Sequence, residues 1–166
     1  NASSAIKTDG TLWAWGDSGY GGRANNVGPG NDVSSPIQIG SATDWAIGTG
    51  KIAADAAGGA AIKTNGELWV WGQNSWGSLG LNEGGGHPSY PGSRSSPAQI
   101  PGTTWDKLAQ NYGCGAAIKT DGTLWSWGYN GAGPLGQNNT IPYSSPVQIP
   151  GTTWSHVSGK KSNWMI

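Results

Sequence analysis

Three stretches of the chain share one alternation of apolar and polar positions. In each, Asp-Gly or Asn-Gly separates two short runs rich in β-branched and aromatic residues, and these dipeptides tolerate the positive φ angles of a tight type I′ turn. The pattern predicts three β-hairpins, with the two tryptophans of each L-W-x-W run on one face of a strand. The stretches are SAIKTDGTLWAWG at 4–16, AAIKTNGELWVWG at 60–72 and AAIKTDGTLWSWG at 116–128.

Two further landmarks follow every hairpin and complete a repeat. The first is SSPIQI at 34–39, SSPAQI at 95–100 and SSPVQI at 144–149, and the second begins at Trp45, Trp105 and Trp154. Each is predicted to be a short strand, the first with a proline that suits a strand start or an edge, the second represented by WSHVSG at 154–159. Four short strands in a unit of about fifty residues are typical of a β-propeller blade.

Composition narrows the class of protein. Nine Lys and Arg balance nine Asp and Glu, so there is no basic surplus of the kind that favours nucleic acid or an anionic membrane. The 30 glycines and 10 prolines alone would suggest disorder, but 11 tryptophans indicate a packed protein of strands and turns. Cys114 is the single cysteine, which excludes an intrachain disulfide. No apolar run or leader-like segment predicts membrane insertion or export.

Two motifs imitate catalytic or phosphate-binding sequences. GDSG at 16–19 resembles the setting of a protease nucleophile, but Ser18 aligns with Asn74 and Asn130 of the other repeats and is interpreted as a turn residue. GTGK at 48–51 lacks the spacing of a phosphate-binding loop and the hydroxyl residue after its lysine. We therefore predict no catalytic residue, no cofactor and no enzyme activity.

The remaining polar candidates also have structural interpretations. Asp9, Asn65 and Asp121 precede glycine in the three hairpins, where their side chains are expected to bond the backbone. His87 and His156 have no partner at ligand spacing, so no metal site is predicted.

Taken together, these residues resemble the RCC1 repeat (regulator of chromosome condensation). The shared pattern is x-A-I-K-T-D-G-x-L-W-x-W-G-x-N-x-x-G-x-L-G, then S-P-x-Q-I, then a Trp-led strand, in three copies. The resemblance implies an all-β fold, a β-propeller of four-stranded antiparallel blades around a central channel, seven in the founding members. About three blades are expected here as part of a larger propeller, and the wording of the repeats is similar to RCC1-like proteins of bacteria and phages.

The expected organisation is a single propeller segment over 1–166, incomplete at both ends. Its repeat units are placed at about 4–59, 60–115 and 116–166. Many RCC1 repeats carry a histidine four residues before the isoleucine of A-I-K-T, and in this chain Cys114 occupies one such position, where we predict a small buried filler. The long Gly- and Ala-rich stretch between Trp45 and Ile62 predicts a bulge or extended turn.

Long variable loops at about 16–33, 72–94 and 128–143 occupy one equivalent position in every unit, so we expect them on one side of the propeller. Their aromatic and amide residues predict contact with a protein or a carbohydrate. We call this candidate set the loop surface. It comprises Tyr20, Arg23, Asn25, Asn26, Trp76, Glu83, His87, Tyr90, Arg94, Tyr129, Asn130, Asn138, Asn139 and Tyr143.

The leading hypothesis is a non-enzymatic structural and binding module of a phage virion, as fibre, spike or decoration, or of a bacterial surface. Its partners would be a protein or a cell-surface glycan, with neighbouring blades supplied by a longer chain or by an oligomer. One alternative is a lectin-like propeller that binds glycans through the loop surface. A further alternative, implied by the eukaryotic members of the family, is a nucleotide-exchange or chromatin-associated regulator, which the neutral charge disfavours.

Overall fold

The computed structural model describes residues 2–17, 19, 21–26, 31–55, 58–83, 92–111 and 113–159. These residues form three antiparallel sheets and no α-helix, which confirms the all-β prediction for the described part of the chain. Sheet 1 has the order β1 (Ala2–Ile6), β2 (Leu12–Gly16), β3 (Val33–Gln38). Sheet 2 has the order β4 (Ile52–Ala54), β5 (Gly58–Ile62), β6 (Leu68–Gly72), β7 (Arg94–Ile100). Sheet 3 has the order β8 (Trp105–Asn111), β9 (Cys114–Lys119), β10 (Leu124–Gly128), β11 (Tyr143–Ile149). Over these same residues, nothing helical is long and apolar enough to span a bilayer.

The three predicted hairpins are confirmed, but their predicted turn type is wrong. In the first hairpin the Gly10 N–H donates to Lys7 O at 2.9 Å and the Lys7 N–H donates to Thr11 O at 3.0 Å, which makes a three-residue loop. Gly10 takes a φ of 77°, whereas Asp9 stays out of the left-handed region. A three-residue loop needs positive φ only at its last position, so the type I′ expectation fails.

The aspartates of these turns bond the backbone as predicted. Asp9 Oδ1 accepts from the Thr11 N–H at 3.0 Å, and Asp121 Oδ1 accepts from the Thr123 N–H at 3.0 Å. The hydroxyls of the same two threonines also donate to these carboxylates, and this side-chain bond is the main reason that the pKa of each carboxyl lies below its ordinary value. Both acids therefore act as local turn residues.

The Trp-led segments that begin at Trp45 and Trp105 pair with the hairpins that follow them. β8 starts at Trp105 and pairs with β9, and Trp45 makes an isolated bridge to Lys63 next to β5. The stretch after Trp45 forms a turn before β4 begins at Ile52, as the extended-turn prediction required. The sheets therefore start at a different point of the repeat from the sequence units 4–59, 60–115 and 116–166.

The strand predicted for WSHVSG at 154–159 is wrong. Residues 154–159 form no strand, and Trp154 is 40% exposed, whereas Trp105 is 3% exposed. Pairing with a following hairpin strand, as Trp105 has with β9, is not seen for residues 154–159 within the described part of the chain.

The second tryptophan of the L-W-x-W run joins neighbouring sheets in the second and third repeats. Trp71 is fully buried and its Nε1–H donates to Gly22 O, in the loop of sheet 1, at 3.1 Å. Trp127 repeats the contact with Ser78 O, in the loop of sheet 2, at 3.1 Å. Gly59 lies opposite Trp71, and a Cβ there would come within 2.7 Å of the indole. The sheets thus pack side by side, each indole inserted between a glycine strand and the preceding loop.

Candidate binding surface

Buried asparagines organise the loops that follow the second and third hairpins. Asn130 is fully buried, its Oδ1 accepts from the Leu135 N–H at 3.1 Å, and its Nδ2 donates to Asn139 O at 2.9 Å and Ile141 O at 3.0 Å. Asn74 occupies the equivalent place, accepting from the Leu79 N–H at 3.0 Å. An amide satisfies both an N–H donor and C=O acceptors, so one side chain can fix a loop that has no strand partner.

Two predicted members of the loop surface lie inside the protein. Asn130 serves the loop backbone as described, and Arg23 is 1% exposed, with Nη2 donating to Asn31 O. Arg23 occupies the position held by the buried leucines Leu79 and Leu135 in the other repeats. Neither Asn130 nor Arg23 can contact a partner, so the prediction that they belong to the loop surface is wrong.

An aromatic pair connects the loops of sheets 2 and 3. Trp76 lies in a single 3₁₀ turn at Ser75–Gly77 and has a φ of 59°. Its ring meets the ring of Tyr129, which follows β10, at a centroid distance of 5.6 Å and an interplanar angle of 62°. Both side chains are half-buried. The structure thus brings together two loop-surface residues that belong to different repeats.

The other predicted members fall into small local groups. Arg94 Nη2 pairs with the Glu83 carboxylate, and Asn139 Nδ2 donates to Tyr143 Oη at 3.0 Å. The Asn26 N–H, in the loop of sheet 1, donates to Ser95 O, in β7 of sheet 2, at 2.6 Å. Asn25 is half-buried and Asn138 is exposed. Three members lie outside the described residues: Tyr20, His87 and Tyr90.

A recurring lysine between two tryptophans was missed by the sequence analysis. Lys63 Nζ lies 5.4 Å from the centroid of the Trp45 ring and 5.3 Å from that of Trp69, a cation–π geometry. Lys119 repeats the arrangement with Trp105 and Trp125 at 4.8 and 4.3 Å. The sequence offered one indication of this arrangement, because the lysine of A-I-K-T recurs in every repeat. Only the fold shows that this lysine reaches the Trp-led segment.

Within the described residues, no group of three or more His, Cys, Asp or Glu side chains could hold a metal ion. Cys114 is half-buried, and its thiol donates to Asn111 Oδ1 at 2.7 Å. Burial raises the pKa of this thiol above its ordinary value.

The raised pKa leads to a reactivity prediction. Because the thiolate is the reacting form, less of it is present at neutral pH, and iodoacetamide should alkylate Cys114 more slowly than it alkylates free cysteine. Mass spectrometry of timed samples measures the rate, and the urea-unfolded chain is the control, in which the rate should approach that of free cysteine. A native rate equal to the unfolded rate would contradict the prediction.

Residues 121–159, which include β10, its loop and β11, match the family model described as "Regulator of chromosome condensation (RCC1) repeat". This part of the chain is similar to an RCC1 repeat. A curated relative, the RCC1 domain-containing protein RUG3 of Arabidopsis thaliana mitochondria, is 30% identical over 144 residues. That alignment covers 84% of this chain and 31% of RUG3, so the chain spans about a third of the RUG3 length.

Solved structures of RCC1-like propellers show the same fold. Human WBSCR16 superposes with a TM-score of 0.71 at 22% identity, covering 91% of this chain and 38% of that protein. Prp20p of Saccharomyces cerevisiae superposes with a TM-score of 0.73 at 19% identity, covering 92% of this chain and 37% of Prp20p. These matches confirm the predicted RCC1-like propeller fold, of which this chain spans a part.

Proposed function

We propose that the chain is a non-enzymatic binding module of an RCC1-like β-propeller whose loop surface contacts a protein. The observation that carries the proposal is the pairing of Trp76 with Tyr129, because it places half-exposed aromatic area from two repeats in one patch. Aromatic residues are enriched where proteins meet, and they supply much of the binding energy. The exposed amide of Asn138 lies in the loop that begins at Tyr129 and offers hydrogen bonds to a partner.

The solved relatives support protein contact as the kind of activity. The structure of Prp20p is described together with its binding to Gsp1p and histones. This chain is 19% identical to Prp20p and spans 37% of it, so neither partner is carried over to this chain. What the relative supports is a propeller that works through protein contacts.

The setting that we propose is a phage virion or a bacterial surface. It is supported by the amino-acid sequence of the repeats, above all K-T-D-G-T-L-W at 7–13, and by the neutral net charge of the chain. The relatives named above come from a plant, human and yeast, so this part of the proposal draws on the sequence alone.

Binding to intact bacterial cells tests the proposal. Fluorescently labelled chain should bind cells of at least one species in a panel, and the double variant Trp76→Ala with Tyr129→Ala should bind at least about tenfold more weakly, since hot-spot aromatics each contribute about 2 kcal/mol or more. Trp154→Ala is the matched control, because it removes an exposed indole outside the loops and should leave binding unchanged. Flow cytometry measures the bound fraction.

Treatment of the cells separates the alternatives. Protease digestion of surface proteins should abolish binding, while periodate oxidation of surface sugars should leave it intact. The reverse result would favour the lectin-like alternative. Binding of the purified chain to Gsp1p or to histones, the partners named for Prp20p, would favour the exchange-factor or chromatin-associated alternative. Cell binding that the double variant leaves unchanged would refute a role for the Trp76 and Tyr129 patch.

A further inference from the structure

The joint between sheets 1 and 2 contains an open cavity. Its volume is about 450 Å³, with a floor of buried Trp45, Ile39 and Ala24 and a rim that includes exposed Gln38 and Asn26. The equivalent space between sheets 2 and 3 measures about 220 Å³. Pockets for small molecules measure roughly 300–1,000 Å³, so the first joint lies in that range and the second does not.

Sequence differences between the two joints account for the extra space. The connection from Ile39 to Trp45 reads I-G-S-A-T-D-W, one residue longer than I-P-G-T-T-W from Ile100 to Trp105. Asn25 stands at the cavity where the narrow joint has Leu81. A longer connection and a more polar lining side chain both favour an open, hydrated space over a filled one.

The longer connection also leaves a buried donor without an acceptor. In the narrow joint, Trp105 Nε1–H donates to Pro101 O at 3.4 Å. In the wide joint, Trp45 lines the cavity and is 4% exposed, and its Nε1–H has no hydrogen-bond partner among the described residues. Because this nitrogen is itself closed to solvent, the lost bond is explained by the longer connection, whose backbone does not reach the indole as Pro101 O does in the narrow joint.

The charges around the cavity indicate a neutral ligand. Lys63 is the charged residue in the lining, and its Nζ donates to Asp44 Oδ2 at 3.1 Å, so its charge is already balanced. The remaining lining combines the half-buried Trp69 ring with the amides of Asn25, Asn26 and Gln38. An apolar ring face beside several amides suits a molecule with one C–H face and many hydroxyls.

We propose that this cavity binds a neutral sugar residue, with Trp69 contacting its C–H face. The amides of Asn25, Asn26 and Gln38 then bond its hydroxyls. This site goes beyond the protein contact proposed above, because it lies in the joint and excludes Trp76 and Tyr129, although it shares Asn25 and Asn26 with the loop surface.

Titration of the ¹⁵N-labelled chain with glucose, galactose, mannose and N-acetylglucosamine tests the site. One of these sugars should shift the side-chain amide resonances of Asn25, Asn26 and Gln38 saturably. Trp69→Leu should weaken binding about tenfold, equivalent to about 1.4 kcal/mol. Trp125→Leu, the equivalent change in the narrow joint, is the matched control and should leave the affinity unchanged. Methyl glycosides of the same sugar distinguish the source, since equal affinity indicates a sugar within a glycan and lost affinity indicates a free sugar.

A second variant keeps the test decisive if Trp69→Leu does not fold. Changing Gly40→Pro and Ala42→Gly with deletion of Ser41 gives I-P-G-T-D-W, a connection of the same length as in the narrow joint, and it should abolish the amide shifts. The proposal is overturned by a flat or non-saturating titration, or by a shift that survives in the shortened chain. Cell binding through Trp76 and Tyr129 should be unaffected by this variant, so failure of either proposal is recognised separately.

Discussion

Replacing Trp71 by alanine should lower the free energy of unfolding by about 3–5 kcal/mol, the range seen when a large buried aromatic is removed. Trp71 is fully buried, and it is one of the few side chains that contact both its own sheet and the loop of the sheet before it. The variant loses the ring packed over Gly59 and leaves Gly22 O without its donor. Urea denaturation followed by circular dichroism measures the change.

The loss should also appear in the cooperativity of unfolding. In repeat architectures each unit is stabilised largely by its neighbours, so weakening one joint can separate the unfolding of sheet 1 from that of sheets 2 and 3. A broadened or two-step transition is expected. The milder change Trp71→Phe keeps most of the ring but deletes the Nε1–H bond, and it should cost less than the alanine variant.

Trp154→Ala is the matched control for this experiment. It removes the same side chain from a site that is 40% exposed, and its effect should stay within about 0.5 kcal/mol. Equal losses in the Trp71 and Trp154 variants would contradict the role assigned to the inserted indole.

The hairpins could be predicted from the sequence because each is specified by residues that are close together in the chain. Alternating apolar residues around Asp-Gly or Asn-Gly specify two strands and a turn. The observed register, with Ile6 opposite Leu12, depends on the loop length, which this alternation does not specify. The type of turn was mispredicted because Asp-Gly fits two loop lengths. Only the Gly10 N–H to Lys7 O bond distinguishes a three-residue loop from a two-residue one.

Pairing between elements was harder to predict than the elements themselves. The segment led by Trp105 lies between two hairpins, and its own residues do not specify which one it joins. The pairing of this segment is decided by long-range contacts, such as the hydrogen bond from the Trp105 N–H to Gly66 O at 3.0 Å. The pattern of apolar and polar residues does not predict such contacts. The strand expected at 154–159 failed for the same reason.

The candidate site shows a similar division. The sequence analysis singled out aromatic residues in the variable loops, and the structure brings two of them, Trp76 and Tyr129, into contact. Asn130 was assigned to the surface because an amide in a Gly-rich loop is usually exposed. Its recurrence at the position of Asn74 was the available signal that the side chain serves the loop itself. The cavity between sheets 1 and 2 depends on a one-residue insertion, which is visible in the sequence, but the space that it opens is visible only in the structure.

Asn130→Ala should destabilise the chain by about 1–3 kcal/mol, the usual cost of leaving a buried polar group unsatisfied. The Leu135 N–H loses its acceptor inside the protein, where Leu135 is 1% exposed, and the carbonyls of Asn139 and Ile141 lose their shared donor. Because Asn130 follows Tyr129 directly, loosening this loop should also weaken the contact between Tyr129 and Trp76.

Native-state hydrogen exchange tests this prediction at a single amide. In Asn130→Ala the Leu135 amide should exchange faster by more than the global loss of stability explains, because the local bond that protects it is gone. Gln99→Ala, which changes an exposed amide on β7, is the matched control and should leave both the Leu135 amide and the unfolding midpoint unchanged. If the Leu135 amide keeps its protection in Asn130→Ala, then the loop is held by its backbone alone and the buried amide has no organising role.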